Sequence, residues 1–382
     1  MLLDRLIAFF TSLKLTVVCL TLAMFLVFFG TLAQVELGLY KAQNEFFRSF
    51  LVYWGPKGAD WKVPVFPGGY LVGGVLLINL ISGHIKRFGF STKKVGLWLA
   101  HAGLILLLVG QLLTDMLSVE SGMHLRVGDT KNYSEVERRA ELAVADVSDA
   151  KLDKVVAIPQ SLLARQSDVT HPALPFTLRV KRFMANSAMA NRKPGTADPP
   201  AATHGFGPQV SVKEMPHVTE MEKRDIPTAI VEIVTPQGSL GTWCVSEFFD
   251  EPQRVMVGGQ AWTLTLRPHR DYKPYSLKLL DFRHDVYPGT QIPKNFSSRV
   301  QLHNPQSGEK REVLIYMNNP LRYAGETYYQ SGFDPDNQGS ILQVVRNPGW
   351  LTPYLACVMV SAGLIIHFLM HLVQFLAKRK PV

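Results

Sequence analysis

LKLTVVCLTLAMFLVFFGTLA, residues 13–33, contains one lysine and no other charged residue. Crossing the hydrocarbon core of a bilayer takes about 20 such residues in a helix, because lipid offers no partner for backbone N–H and C=O groups. The stretch predicts a spanning helix over Leu13–Ala33. Its length and its lack of a small-residue cleavage site predict that it is retained rather than removed as a signal. Working outward, the same reading gives three more spans: Gly69–Gly83 (short unless its ends snorkel), Val95–Leu113 and Leu351–Leu376.

The basic residues gather beside these segments, and that decides what the net charge of +9 means. Arg5 and Lys14 attend the first span, Lys86, Arg87, Lys93 and Lys94 fill the turn between the second and third, and Lys378, Arg379 and Lys380 follow the fourth. Short loops rich in Lys and Arg stay on the cytoplasmic side, so residues 34–68 and 114–350 are expected outside. No basic stripe interleaved with aromatics occurs, which argues for a membrane surface over nucleic acid as the partner of this charge. The three cysteines, Cys19, Cys244 and Cys357, form no CxxC and no CxxCH. A thiol-exchange conduit and covalent c-type haem on this chain are therefore not expected.

Between the spans the pattern changes. In LYKAQNEFFRSFLVYW (39–54) Phe46, Phe47, Phe50, Leu51 and Trp54 recur at helical spacing, which predicts an amphipathic helix along the interface. The runs AELAVADV, FTLRVKRF, TAIVEIVT, RVMVGGQAWTLTLR and SRVQLHN alternate apolar and polar residues over strand lengths, with turn residues between them. Residues 185–210, rich in Ala, Pro and Gly, are expected to form a long loop. The expected fold is an integral membrane α-helical protein of about four transmembrane helices with a large extracytoplasmic, mainly antiparallel β domain. It divides as 1–113, 114–350 and 351–382.

No catalytic signature stands out: GxSxG, HExxH, a phosphate-cradling glycine loop and paired cysteine ligands are all missing. His124, His171, His204, His217, His269, His284 and His303 lack metal-ligand spacing and are expected at surfaces and turns. The membrane histidines differ, because an ionisable side chain in a bilayer is costly and usually faces a partner, a cavity or a cofactor. His101 lies about 9 Å in from the start of the third span, His371 about 10 Å and His367 about 16 Å in from Lys378. His84 lies nearer the surface, beside Lys86 and Arg87. All four fall in the cytoplasmic half. A neutral imidazole suits haem iron, and the basic rim would suit the propionates. The plainer alternative is hydrogen bonding between helices, weighed most heavily for His84 and least for His101.

Two stretches resemble the ResB (CcsB) family of cytochrome c biogenesis proteins. GLWLAHAGLILLLVGQLL (96–113) is similar to the family's third helix with its histidine. In residues 316–350, Asn319, Pro320, Leu321, Tyr323, Gly325, Tyr329, Gln330 and Ser331 follow the family's N-x-P-L-x-Y-x-G-x-x-x-Y-Q-S pattern, and Pro348 and Gly349 come after. Physically that motif reads as strand, tight turn and strand, with Gly325 free to take φ > 0 and Tyr323, Tyr328 and Tyr329 as amphipathic rings near a membrane surface. The resemblance covers nearly the whole chain. It implies the system II pathway, in which haem b is transported outward and attached to CxxCH apocytochromes by a complex with a tryptophan-rich CcsA (ResC) partner. Trp54, Trp61, Trp98, Trp243, Trp262 and Trp350 are dispersed here, so the chain resembles the ResB half alone. His101 is the residue that best matches the family's membrane haem ligand, with His371, His367 and His84 behind it. The alternative is a membrane scaffold that binds no haem, its outer domain holding apocytochrome or a partner protein. No catalytic residue is assigned; activity would belong to the complex.

Overall fold

The computed structural model describes residues 2–56, 61–87, 92–149, 152–192, 200–220, 223–290 and 292–378. In chain order the elements begin with helices α1 (Leu2–Phe10), α2 (Leu13–Leu37) and α3 (Leu39–Ala42), a π turn over Gln43–Phe47, and strands β1 (Leu51–Trp54) and β2 (Val63–Pro67). Helices α4 (Gly69–Arg87) and α5 (Val95–Leu117) follow. Then come β3 (Val119–Arg126), β4 (Thr130–Asp146), β5 (Lys154–Pro159), the one-turn helix α6 (Gln160–Leu163), β6 (Asp168–Val169) and β7 (Thr177–Met184). Strands β8 (Ser187–Asn191), β9 (Val210–Glu214), β10 (Thr228–Thr235), β11 (Gly238–Ser246), β12 (Gln253–Val257) and β13 (Gln260–Val286) come next. The chain closes with β14 (Pro293–Asn304), β15 (Glu309–Tyr316), β16 (Leu321–Tyr323), β17 (Glu326–Phe333), β18 (Gly339–Arg346) and α7 (Thr352–Lys378). Two compact units result: Met1–Val119 with Thr219–Met221 and Arg346–Val382, and Glu120–Val218 with Glu222–Val345.

Four helices of the first unit, α2, α4, α5 and α7, are long and apolar enough to cross a membrane, yet their most apolar windows are only 17, 17, 22 and 11% buried. So much outward apolar surface, including Val17, Phe28, Leu355 and Phe368, suits lipid and not water. The protein is membrane-bound. Each helix runs a few residues past its sequence-read end, so His84 and Lys86 belong to α4 itself. The chain breaks between α1 and α2, where Asn79 of α4 satisfies the exposed carbonyls. Its Nδ2 donates to the carbonyls of Phe10 (2.7 Å) and Ser12 (3.1 Å), and Thr16 Oγ1 donates to its Oδ1 (2.6 Å).

Two sequence expectations need correction. The amphipathic helix over 39–54 stops at the π turn; Leu51–Trp54 pairs with Val63–Pro67 as a hairpin, in keeping with the strand preference of aromatic and β-branched residues. The long loop over 185–210 contains β8, paired antiparallel with β9 from Ser187↔Glu214 to Asn191↔Val210. Small residues are poor core material, but backbone pairing needs no side chain. Residues 193–199 of that expectation lie outside the described residues.

The second unit is antiparallel β throughout its named strand pairs. A four-stranded sheet runs β11-β10-β7-β6, and a ten-stranded sheet runs β15-β14-β13-β4-β3-β18-β17-β16, with β12 on β13 and β5 on β4. The 27-residue β13 serves two cores. Its first half, with β4, β7, β10 and β11, encloses Leu142, Leu178, Val231, Trp243 and Leu264; its second half, with β14 to β18, encloses Leu277, Leu279, Leu302, Tyr328 and Leu342. The β13–β4 register breaks at Pro268/His269 and between Tyr272 and Leu277, around Pro274. Proline cannot donate to a ladder, so both breaks fall where the sequence forbids regular pairing.

Candidate functional site

Helix α5 carries Gly96, Ala100, Gly103 and Gly110 on its buried side. A Cβ on Gly96 would lie 2.6 Å from the backbone N of His367, and one on Gly103 2.7 Å from Val360 Cγ2, so this stripe is where α7 packs. Small residues let the two backbones approach, the usual device where water supplies no hydrophobic drive. His101 follows Ala100, so it is turned about 100° from the stripe. Its ring meets α4 instead: the His84 and His101 centroids are 6.2 Å apart, and Trp98 lies edge-on to His84 at 3.7 Å.

His101 Nδ1 is 2.8 Å from the carbonyl of Leu97, one turn earlier. A carbonyl only accepts, so Nδ1 carries a proton in this contact. Metal-binding imidazoles are commonly tied in this way, one ring N–H on a backbone carbonyl and the other nitrogen toward the metal. His84, near the end of α4, is 7% exposed and packs against Trp98, so it lies inside the helix packing. His367 and His371 form a second pair, edge-to-face at 4.4 Å, on α7. His367 is level with Gly96, about 7.5 Å along the axis from His101. The exposed lysines Lys86 and Lys94 lie near this end of α4 and α5; the side chains of Arg87 and Lys93, and residues Arg379 and Lys380, lie outside the described residues.

The other end of these helices holds a charged group that sequence reading missed. Asp115, near the end of α5, takes Arg48 Nε at 2.7 Å and the hydroxyl of Tyr70. It joins α5, the start of α4 and the turn after α3. A carboxylate at a helix C-terminus is unfavourable alone, and Arg48 offsets it.

The motif residues build a hairpin. Asn319 N–H donates to the Tyr316 carbonyl at 2.9 Å, and Pro320 leads into β16. Tyr323 pairs with Glu326 across Ala324 (φ 49) and Gly325 (φ 80), the two-residue turn with both central residues left-handed. The Tyr323 hydroxyl donates to Glu309 Oε2 and accepts from Asn304 Nδ2, both at 2.9 Å. Gln330 joins a hydroxyl network, accepting from Ser298 Oγ at 2.5 Å and donating to the Gly332 carbonyl at 2.8 Å. Tyr329 is exposed. Tyr328, expected as a ring at a membrane surface, is instead wholly buried in the β core.

That core hides the charged cluster the sequence did not announce. Lys273 Nζ donates to Glu326 Oε1 (2.5 Å) and Asp271 Oδ2 (2.8 Å), while Tyr275 Oη donates to Glu326 Oε2 (2.6 Å) and lies 2.7 Å from Tyr328 Oη. Burial, above all, pushes both phenols well over their usual range, so they remain donors. The available signal was register: Lys273, Tyr275, Leu277 and Leu279 alternate inward, with a charge on a core position. The histidines expected at surfaces and turns also have partners. His269 Nδ1 lies 2.7 Å from the buried Glu141 carboxylate, and His124 and His217 bond Asp334 and Asp225. Among the described residues no group of three or more His, Cys, Asp or Glu is placed to hold a metal ion.

Apolar helices bearing paired histidines, followed by a two-core β domain, define a polytopic membrane protein with a large antiparallel β unit. Residues 251–341, from β12 into β18, match the model of the ResB-like family. Protein NrfI of Wolinella succinogenes is 35% identical over 96 residues, 25% of this chain and 11% of that relative's length. The chain thus covers a small part of NrfI. The matched residues hold the motif hairpin and the Lys273–Glu326 cluster; the four membrane histidines lie outside them.

Proposed function

We propose that the chain is the ResB-like subunit of a cytochrome c maturation complex of the system II type. In this reading it works with a CcsA-like membrane protein that supplies the tryptophan-rich haem-handling surface this chain lacks. Haem b is cargo, carried outward and attached to CxxCH apocytochromes. The β domain stands on the outer face of the cytoplasmic membrane, because the Lys and Arg clusters flank the opposite ends of the spans. His101 is the proposed iron ligand, offering Nε2 while Leu97 holds Nδ1–H. His84 and Trp98 pack beside it, and His371 and His367 are the reserve pair. Lys86 and Lys94 are at hand for the propionates.

The observation that carries the role is the ResB-like match of residues 251–341 within a membrane-bound chain. Deleting the gene in its host and staining membrane and periplasmic proteins for covalent haem tests it. Loss of haem-stained c-type cytochromes, restored by the intact gene, is expected. Normal cytochromes in the deletion strain would overturn the role. Restored staining by a chain lacking His84, His101, His367 and His371 would favour a scaffold that binds no haem.

A further inference from the structure

Trp262 sits in the first β core at 4% exposure, yet its buried indole N–H has no hydrogen-bond partner among the described residues. A buried tryptophan usually finds an acceptor for this group, because leaving the bond unmade costs more than making it gains. Register shows what lies around it. Lys154, Asp146, Trp262 and Val255 form one cross-strand row over β5, β4, β13 and β12. Val156, Val144, Leu264 and Gln253 form the row two residues on. Such rows share one face of the sheet, and here it is the core face.

The loop between β6 and β7 faces these rows. Pro172 and Pro175 fix its φ angles, and it turns on the Leu174 N–H, which donates to the His171 carbonyl at 2.9 Å. Rows and loop together line a cavity of about 420 Å³, within the size range of small-molecule sites. Trp262, Leu174 and Val156 give it apolar walls. The charged groups at its rim offset one another. Lys154 and Asp146 are direct cross-strand partners, and Asp146 also takes the Ser148 N–H at 3.0 Å. The Ser148 hydrogen bonds first, and the Lys154 charge after them, hold the Asp146 carboxyl below the usual range, so it stays ionised opposite the lysine. His171 Nδ1 accepts the Ala173 N–H at 3.2 Å, which leaves that ring uncharged in this contact.

We infer that the cavity binds an uncharged molecule with an apolar body and a hydrogen-bond acceptor, of the carboxamide or ketone class, its oxygen taken by the Trp262 N–H. The unspent group is a donor, so it calls for an acceptor. The walls call for a body of carbon, and the offset rim charges favour neither an anion nor a cation. The site stands whether or not the chain serves cytochrome maturation.

Indole N–H spectra of the full-length chain in detergent, labelled with 15N-tryptophan, test it, with Trp262→Phe assigning the signal. Benzamide is the probe, and toluene, benzoate and benzylammonium are its counterparts without an acceptor or with a charge. Benzamide should move the Trp262 indole proton downfield and saturate at concentrations up to about 10 mM. Toluene should bind at least about threefold more weakly and without that shift, and the two ions more weakly still. By calorimetry Trp262→Phe should bind benzamide about threefold to tenfold more weakly. Ala173→Phe, at an exposed loop position that lines the cavity, should abolish the shift. If Trp262→Phe folds poorly, Ala173→Phe decides alone, since an indole signal moved by benzamide in the native protein should stay still in it. No saturable indole shift with benzamide, equal binding of toluene, tighter binding of either ion, or an undiminished shift in folded Ala173→Phe would each overturn the site.

Discussion

Lys273 and Glu326 lie on β13 and β17, strands that are not neighbours in the sheet, and join them through the core. Removing one partner leaves a buried charge uncompensated, which costs about 3–5 kcal/mol. Lys273→Met is therefore expected to lower the thermal unfolding midpoint of the β unit sharply, as read by circular dichroism. An unchanged midpoint would show the pair to be incidental. Cys244 offers a second test, because burial pushes its thiol up to about 12. At pH 8 only about one molecule in ten thousand carries the thiolate. In a Cys19→Ser, Cys357→Ser background a maleimide should label Cys244 after denaturation and not before; fast labelling of the native protein would contradict its burial. Neither feature was legible as such. Cys244 read as a lone cysteine, and Lys273 fell in none of the runs read as strands; even where alternation is seen, it does not say which phase faces inward.

Elements were legible where one physical rule dominates. Spans, strands and the Ala324–Gly325 turn follow from hydrophobic length, period and left-handed geometry. Leu51–Trp54 and Ser187–Asn191 were misread because in each the pairing partner decides, and that partner lies farther along the chain, from Trp54↔Val63 to Leu51↔Pro67 in the first and from Asn191↔Val210 to Ser187↔Glu214 in the second. The α5–α7 contact was present in the sequence as Gly96, Gly103 and Gly110, seven residues apart, but their use depends on which helix comes to meet them. Gly103→Leu would drive its side chain into Val360 and the Ala356 carbonyl, at an overpacking cost of about 1–3 kcal/mol. It should lower the unfolding midpoint in detergent, while Gly74→Leu, where a Cβ meets nothing within 4 Å, should not. Equal effects of the two would contradict the helix pairing.

At the scale of the molecule, the account sets basic helix ends inside and the β unit outside. Cysteines introduced at residue 150 and at the exposed position 338 should react with a membrane-impermeant maleimide added to intact spheroplasts, and one at residue 90 only after lysis; the reverse pattern would overturn the sidedness and with it the pathway. The histidine cluster was half legible: the chain's own residues pointed to His101, but its neighbourhood with His84 and Trp98 depends on how α4 and α5 turn toward each other. The measurement closest to the central claim is the Soret absorbance of the chain purified with its CcsA-like partner, compared between the native protein and His101→Ala. The native complex should carry haem, and His101→Ala should lose most of it, with partial return in imidazole, which can refill the vacated ligand position. A folded His101→Ala complex with its full haem, or a native complex with none, would contradict the account.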